Sequence, residues 1–251
     1  VIVRLTAKVK LLPTPEQVDH LKQTLETAND ACNYISEQAW DTKTFHQFPL
    51  HKLAYHDVRE KFPLSAQVVV RCISKVSNTY KLDHKTRHIF RPHGAIAFDN
   101  RILSWKIHEM TVSIWTIGGR QTIPFAAGMR QMELLLQQRG ESDLCLINKE
   151  FYLLSVCDVE IPKPIDVEGI LGIDLGIVNI ASDSDGEQFS GEGVDDNRRK
   201  FEHRRKNLQK KQTKPAKRKL RKISGKQARF QSHTNHTISK RLDKSARNSY
   251  Y

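Results

Sequence analysis

The spacing of the apolar residues changes twice along this chain, and that change constrains the fold more than any other feature. Val1, Val3, Leu5, Ala7, Val9 and Leu11 alternate with Arg4, Thr6, Lys8 and Lys10, which predicts a half-buried strand with a basic outer face, ending at Pro13. Thr14-Pro15-Glu16-Gln17 reads as a helix start, with Thr14 as N-cap, Pro15 at the first position and Gln17 closing a capping box. Val18, Leu21, Leu25, Ala28, Cys32, Ile35 and Ala39 then recur at intervals of three and four, an apolar stripe on a helix of about 25 residues. A second helix is expected over 50–61, stopping at Pro63, and a third carries Ala66, Val69, Val70, Ile73, Val76 and Tyr80 on one face. From about His88 the period of two returns, with runs at 95–98, 102–106, 111–117, 121–125, 144–147 and 151–160. Gly118-Gly119 and Asn148-Lys149 supply turns between them. One antiparallel barrel or sandwich is therefore expected, with three helices inserted between its first and second strands. Pro162-Lys163-Pro164 reads as a stiff linker and a domain boundary.

The chain is 251 residues long, enough for one large or two small domains. It begins with valine, which points to a cut boundary or a non-standard start codon. No run approaches the ~18 apolar residues of a membrane helix, and charge alternates with apolar residues from Val1 onward, unlike a signal peptide. A cytoplasmic protein is expected. Cys32, Cys72, Cys145 and Cys157 are far apart and form no C-x-x-C pair, which argues against a zinc site and for small buried residues. The histidines show no metal-binding spacing and none is assigned to a metal. Charge is more telling. From Asp195 to Tyr251 there are 20 Lys+Arg against 4 Asp+Glu, whereas the preceding 194 residues carry 21 against 24. Excess positive charge gathered in one segment is the footprint of a polyanion partner, the alternative being a solvated basic helix or tail.

Beyond the linker, Gly169-Ile170-Leu171-Gly172-Ile173-Asp174-Leu175-Gly176 reads as a buried-type apolar strand carrying a single carboxylate. Ile177–Ser182 follows as a second strand, and Asp185-Gly186 turns the chain into Gln188-Phe189-Ser190. An aspartate in such a strand is costly unless it is paired, protonated or on a metal. In two-metal phosphodiester chemistry a carboxylate on a rigid central strand anchors the ions that activate water and stabilise the leaving oxygen. The alternative is an aspartate capping a turn at a strand end. A phosphate-binding turn of the actin and sugar-kinase type is a poorer reading, because Ile177 and Val178 stand where small or hydroxyl residues would touch phosphate.

From Arg198 to Arg229 there are 16 Lys+Arg and one acid, Glu202. Phe201 and Leu208 lie seven apart, Pro215 is expected to break the run, and Leu220, Ile223 and Phe230 resume a stripe. Two antiparallel basic helices with a thin apolar seam are predicted. Arg198, Arg199, Arg204, Arg205, Lys210, Lys211, Lys217, Arg218 and Arg221 are the candidate phosphate contacts. Cations spread along helices without interleaved aromatics suit backbone and shape recognition rather than base reading.

The chain resembles the N-terminal part of the TnpB (OrfB) family of insertion-sequence transposases, compact RNA-guided nucleases related to type V CRISPR effectors. The resemblance spans essentially Arg4 to Leu242. It is carried by 10–17, by 64–67 through Tyr80-Lys81, above all by 172–181 with Ser184-Asp185-Gly186, and by 236–242. It implies an α+β protein. A wedge-type antiparallel β-barrel is expected at 1–12 and 84–164, and a helical recognition insert at 13–83. The start of a ribonuclease-H-like (RuvC) domain is expected at 165–251, with β-hairpins at 169–194 and basic helices at 195–242. It further implies magnesium-dependent DNA cleavage with Asp174 as the first metal-binding catalytic carboxylate. Guide RNA and DNA are the implied partners, with no membrane and no small-molecule substrate, and Gln67 lies in a helix near the short target-adjacent DNA motif. Here the sequence departs from the family. No glutamate follows Glu202 and no cysteine follows Cys157, so the later catalytic carboxylates and the zinc ribbon are missing. The expectation is a truncated copy that binds RNA and DNA without cutting, so that magnesium binding is doubtful; the alternative is a non-catalytic binding regulator or remnant.

Overall fold

The computed structural model describes residues 2–161 and 170–248. The chain falls into two compact units, Val1–Pro162 and Lys163–Tyr251. The linker expected at Pro162-Lys163-Pro164, and Gly169 at the head of the expected strand, lie outside the described residues.

The first unit runs β1 (Ile2–Leu11), α1 (Pro15–Thr42), α2 (Gln47–Lys61), α3 (Ala66–Leu82), β2 (Ile96–Phe98), β3 (Leu103–Lys106), β4 (Thr111–Thr116), β5 (Gly119–Ala126), α4 (Met129–Leu135), β6 (Gln138–Ile147) and β7 (Glu150–Glu160). Its strands form one sheet in the order β2-β6-β7-β1-β5-β4-β3, antiparallel throughout and nearly closed like a barrel. The first strand sits in the middle of that order. It pairs with β7 from Ile2↔Glu160 to Lys10↔Tyr152, but with β5 only at Lys10↔Ala126 and Leu11↔Phe125. Mixed helix and sheet, with three helices inserted after the first strand, is what the change of period predicts.

The outer face of β1 is basic but largely answered across the sheet. Lys10 Nζ lies 2.5 Å from Glu150, Arg4 lies 3.4 Å from Asp158, and Lys8 sits 4.4 Å above the Tyr152 ring. Asn148 and Lys149 both have positive φ, as a two-residue hairpin turn of this hand requires. The short helix α4, whose Leu135 is buried, has no apolar period long enough to be read from sequence.

Each inserted helix has a local cause. Thr14 Oγ1 accepts from the Gln17 N–H at 3.3 Å, and the Thr14 N–H donates to Gln17 Oε1 at 3.1 Å, closing the capping box. Ser65 Oγ accepts from the Val68 N–H at the start of α3. Leu21, Leu25, Ala28, Cys32, Ile35 and Ala39 of α1 are buried in one core with Val69, Cys72, Ile73, Val76 and Tyr80 of α3. Each large apolar side chain there contributes about 1.5–3 kcal/mol.

Alongside that stripe, α1 carries polar side chains with a separate task. Buried Asn29 donates to the Pro92 and Gly94 carbonyls at 3.2 and 2.8 Å and accepts from Lys75 Nζ at 2.7 Å. Asn33 donates to the Phe90 carbonyl and accepts from the Phe90 N–H, and Ser36 donates to the His88 carbonyl. Three side chains thus satisfy the backbone of the segment that returns from the helices to the sheet, which has no strand partner of its own there.

A second polar node joins helix to sheet. Asp99 is 6% exposed, and its side chain takes hydrogen bonds from Gln67 Nε2 at 2.5 Å, Arg71 Nη2 at 2.6 Å and Arg101 Nη2 at 3.0 Å. Arg71 also pairs with Glu141. Burial pushes the Asp99 carboxyl up, but the hydrogen bonds from Arg71 and Arg101, with the Arg71 charge, outweigh it and hold the group below its ordinary value. A depressed carboxyl stabilises the fold above its unfolded value of about 3.9, and that contribution is lost as pH falls through the folded value. Asp99→Asn is expected to cost roughly 1.5–3 kcal/mol near neutral pH. Melting curves of both proteins should converge as pH is lowered below about 4; a gap that stays constant down to pH 3 would rule this account out.

Candidate nucleic-acid interface

The second unit contains β8 (Ile173–Asp174), β9 (Asn179–Asp183), β10 (Gln188–Ser190), α5 (Glu192–Lys211) and α6 (Lys214–Asn248). The three strands form an antiparallel sheet in the order β10-β9-β8. Asp183 builds the turn between β9 and β10: its Oδ1 accepts from the Asp185 and Glu187 N–H groups at 3.1 and 2.7 Å, and Gly186 takes φ +91°.

Asp174 does not sit in a buried central strand, as its apolar neighbours predict. The strand is two residues long and at the edge of the sheet, with Ile177 and Val178 beyond it 87% and 83% exposed. Apolar sequence alone cannot bury a strand that has one neighbour. Asp174 lies opposite Ser182, and Ser182 opposite Gln188, so these three share a face. Ile173 lies opposite Asp183, and Ala181 opposite Phe189, on the other face. The two strand aspartates therefore point to opposite sides. Among the described residues no three His, Cys, Asp or Glu side chains converge to hold a metal. As placed, Asp174 and Asp183 do not fit a two-magnesium site.

The sheet hands the chain to α5 through a close approach. The Gly191 N–H donates to the Val178 carbonyl at 2.7 Å, and the Gly191 carbonyl accepts from the Val194 and Asp195 N–H groups, starting the helix. A Cβ on Gly191 would lie 2.6 Å from the Ile177 carbonyl oxygen and 2.9 Å from that of Val178.

Helices α5 and α6 form an antiparallel hairpin. Gln212 takes a left-handed conformation at the end of α5, and Thr213 Oγ1 accepts from the Ala216 N–H at the start of α6. Pro215 thus lies in the first turn of α6, where a missing N–H costs nothing, and the helical run breaks just before it, at Gln212-Thr213. Ala216, Leu220, Ile223, Gln227, Phe230 and Thr234 are buried or half-buried at alternating intervals of four and three. Val194, Phe201 and Leu208 recur on α5 at intervals of seven. This is the spacing of a short coiled coil. Beside the seam, the exposed Arg205 Nη2 donates to Gln227 Oε1 at 2.6 Å. Farther along, α6 lies on the hairpin: Arg241 sits 5.9 Å from the Phe189 ring centroid and 4.0 Å from Glu187.

The expected phosphate contacts fall in different settings. Arg198 and Arg199 share the Asp195 carboxylate at 2.7 Å each, while remaining mostly exposed. Arg204, Lys210, Lys211, Lys217, Arg218 and Arg221 are exposed along the two helices. Gln67 belongs to the first unit, half-buried, with its amide nitrogen committed to Asp99. Sequence reasoning passed over Lys219, Lys222 and Lys226, which with Arg204 line an open groove between the helices. Their spacing of three and four places them on one face beside Ile223, a signal present in the sequence.

Residues 155–248 match the model of the OrfB family, described as a probable transposase. Over this segment, which is less than half of the chain, the protein is similar to the OrfB transposase family. The OrfB match covers the Asp174 turn, the three-stranded sheet and the basic hairpin together. No curated protein matches the chain. No helix of the described residues is long and apolar enough to cross a membrane.

Two glycines test the joint between sheet and hairpin. Gly191→Ala forces backbone apart and is expected to cost about 1–3 kcal/mol locally, seen as faster hydrogen exchange at the Val194 and Asp195 amides. Gly193→Ala meets nothing within 4 Å and should be neutral or stabilise α5 by about 0.5–1 kcal/mol. Equal exchange in the two variants would contradict the close-approach account.

Proposed function

We propose that this chain belongs to the OrfB transposase family, a transposon-encoded, RNA-guided endonuclease lineage, that it binds RNA and DNA through the α5–α6 hairpin, and that the polypeptide of this sequence does not cut DNA by itself. The observation that carries the binding half is the hairpin's charge: 16 Lys+Arg between Arg198 and Arg229 against one acid, on two helices held by a narrow apolar seam. Such a rod offers cations along its length, and affinity for a polyanion follows from counterion release. Its side chains suit phosphate rows of a duplex, where arginine forks onto oxygens and lysine serves as a mobile point charge.

The second half follows from the register. In a RuvC-like reading Asp174 is the metal-directed carboxylate, here on the edge strand of an antiparallel three-stranded sheet. Asp183 faces the opposite side and spends Oδ1 on two backbone N–H groups. One carboxylate on a face does not hold two magnesium ions. A non-catalytic regulator that keeps the same binding surface is the second reading, and the same register favours it.

Replacing Arg204, Arg205, Lys210 and Lys211 together by Gln should weaken duplex RNA binding and flatten the slope of log K against log salt by about 2–3. An unchanged slope would return the hairpin to a solvated basic surface. Purified protein with its guide RNA, target DNA and magnesium should leave the DNA intact; cutting abolished by Asp174→Ala would overturn the non-cutting half while leaving the binding half standing.

A further inference from the structure

The groove between α5 and α6 has a chemistry that its charge alone does not explain. It encloses about 580 Å³, within the ~300–1,000 Å³ of small-ligand sites. Its floor is apolar: Ile223 is buried, and Phe201 and Leu208 are half-buried. Arg204, Lys219, Lys222 and Lys226 line its rim, and no acid does. None of these four cations is in an ion pair among the described residues. Asn207 adds an amide at the edge, its Nδ2 2.9 Å from His203 Nε2.

A phosphate row by itself would leave the Phe201, Leu208 and Ile223 surface in water. An apolar peptide helix would fill the floor but strip water from four cations without replacing it. An aromatic body with an attached anion satisfies both parts. Resting on the nucleic-acid reading of the hairpin, we infer that this groove receives an unpaired nucleotide of a bound RNA. The base lies on Phe201 and the apolar floor, the Asn207 amide meets its edge, and Arg204, Lys222 and Lys226 hold the flanking phosphates. Base-on-aromatic contact tolerates any base, whereas the amide adds preference. The hairpin then reads a structural feature, a bulge or a splayed loop base, and not merely charge.

The test uses the full chain and three RNA duplexes: fully paired, with one bulged nucleotide, and with an abasic bulge at the same place. The bulged duplex should bind about tenfold more tightly than the abasic one. Phe201→Leu, which keeps an apolar side chain in the seam but removes the ring, should bring that ratio close to one. Asn207→Ala, on the exposed side of α5, should lower it about threefold and carries the test if circular dichroism shows that Phe201→Leu has lost helix. Equal affinity of the wild type for bulged and abasic duplexes overturns the inference, as does a ratio unmoved by either variant. If no duplex binds at any salt concentration, the binding function itself falls. If all three bind equally with a steep salt slope, the groove inference falls alone.

Discussion

A single buried carboxylate, Asp99, stands where the inserted helices meet the sheet they interrupt. It turns the chain from β2 into β3 through its own backbone and side chain, and it takes donors from Gln67 and Arg71 on α3 and from Arg101 beside it. An unpaired carboxylate at 6% exposure would be expensive, so the helices and the turn have to come together in one arrangement for the charge to be satisfied. The apolar core supplies most of the stabilisation, but it is tolerant of small slides. The Asp99 node and the ladder of Asn29, Asn33 and Ser36 are directional, and they set where α1 and α3 lie against strands that are distant in sequence.

Much of this first unit could be read in advance because its elements carry strong local signals. The capping box at Thr14 and Gln17 and the stripe from Val18 to Ala39 make α1 explicit, and the Asn148-Lys149 turn marks the β6–β7 hairpin. Partners were less legible. Nothing in the pattern says that β1 pairs with β7 along its length, or that Asn29 and Asn33 serve a returning loop 57 to 65 residues away. Short α4 lacks the length for a period to declare itself.

In the second unit the sequence overstated burial. Ile170 and Leu175 belong to a stretch that looks like an interior strand and Ile177 and Val178 to the strand expected after it, yet all four are exposed, because burial depends on neighbours that the local pattern assumes and does not supply. The basic helices were legible as helices and as a hairpin, since the intervals between Phe201 and Leu208 and between Leu220 and Ile223 declare the seam. Charge by itself carries no phase: Lys217, Arg218 and Arg221 are among the expected phosphate contacts, whereas the groove is lined by Lys219, Lys222 and Lys226.

The bond from Arg205 to Gln227 sets a frame for that hairpin. A specific contact between side chains flanking a heptad seam favours one pairing of the helices over others. Were the helices to slip by one heptad, Arg205 would face Leu220 or Thr234 in place of Gln227, losing its acceptor in the first case and the amide in the second. A seam this narrow would otherwise allow sliding. The polar rung therefore acts as a ruler, holding the cations of the two helices at fixed offsets from one another, so that whatever they grip meets one pattern of charge and not a shifting average of several.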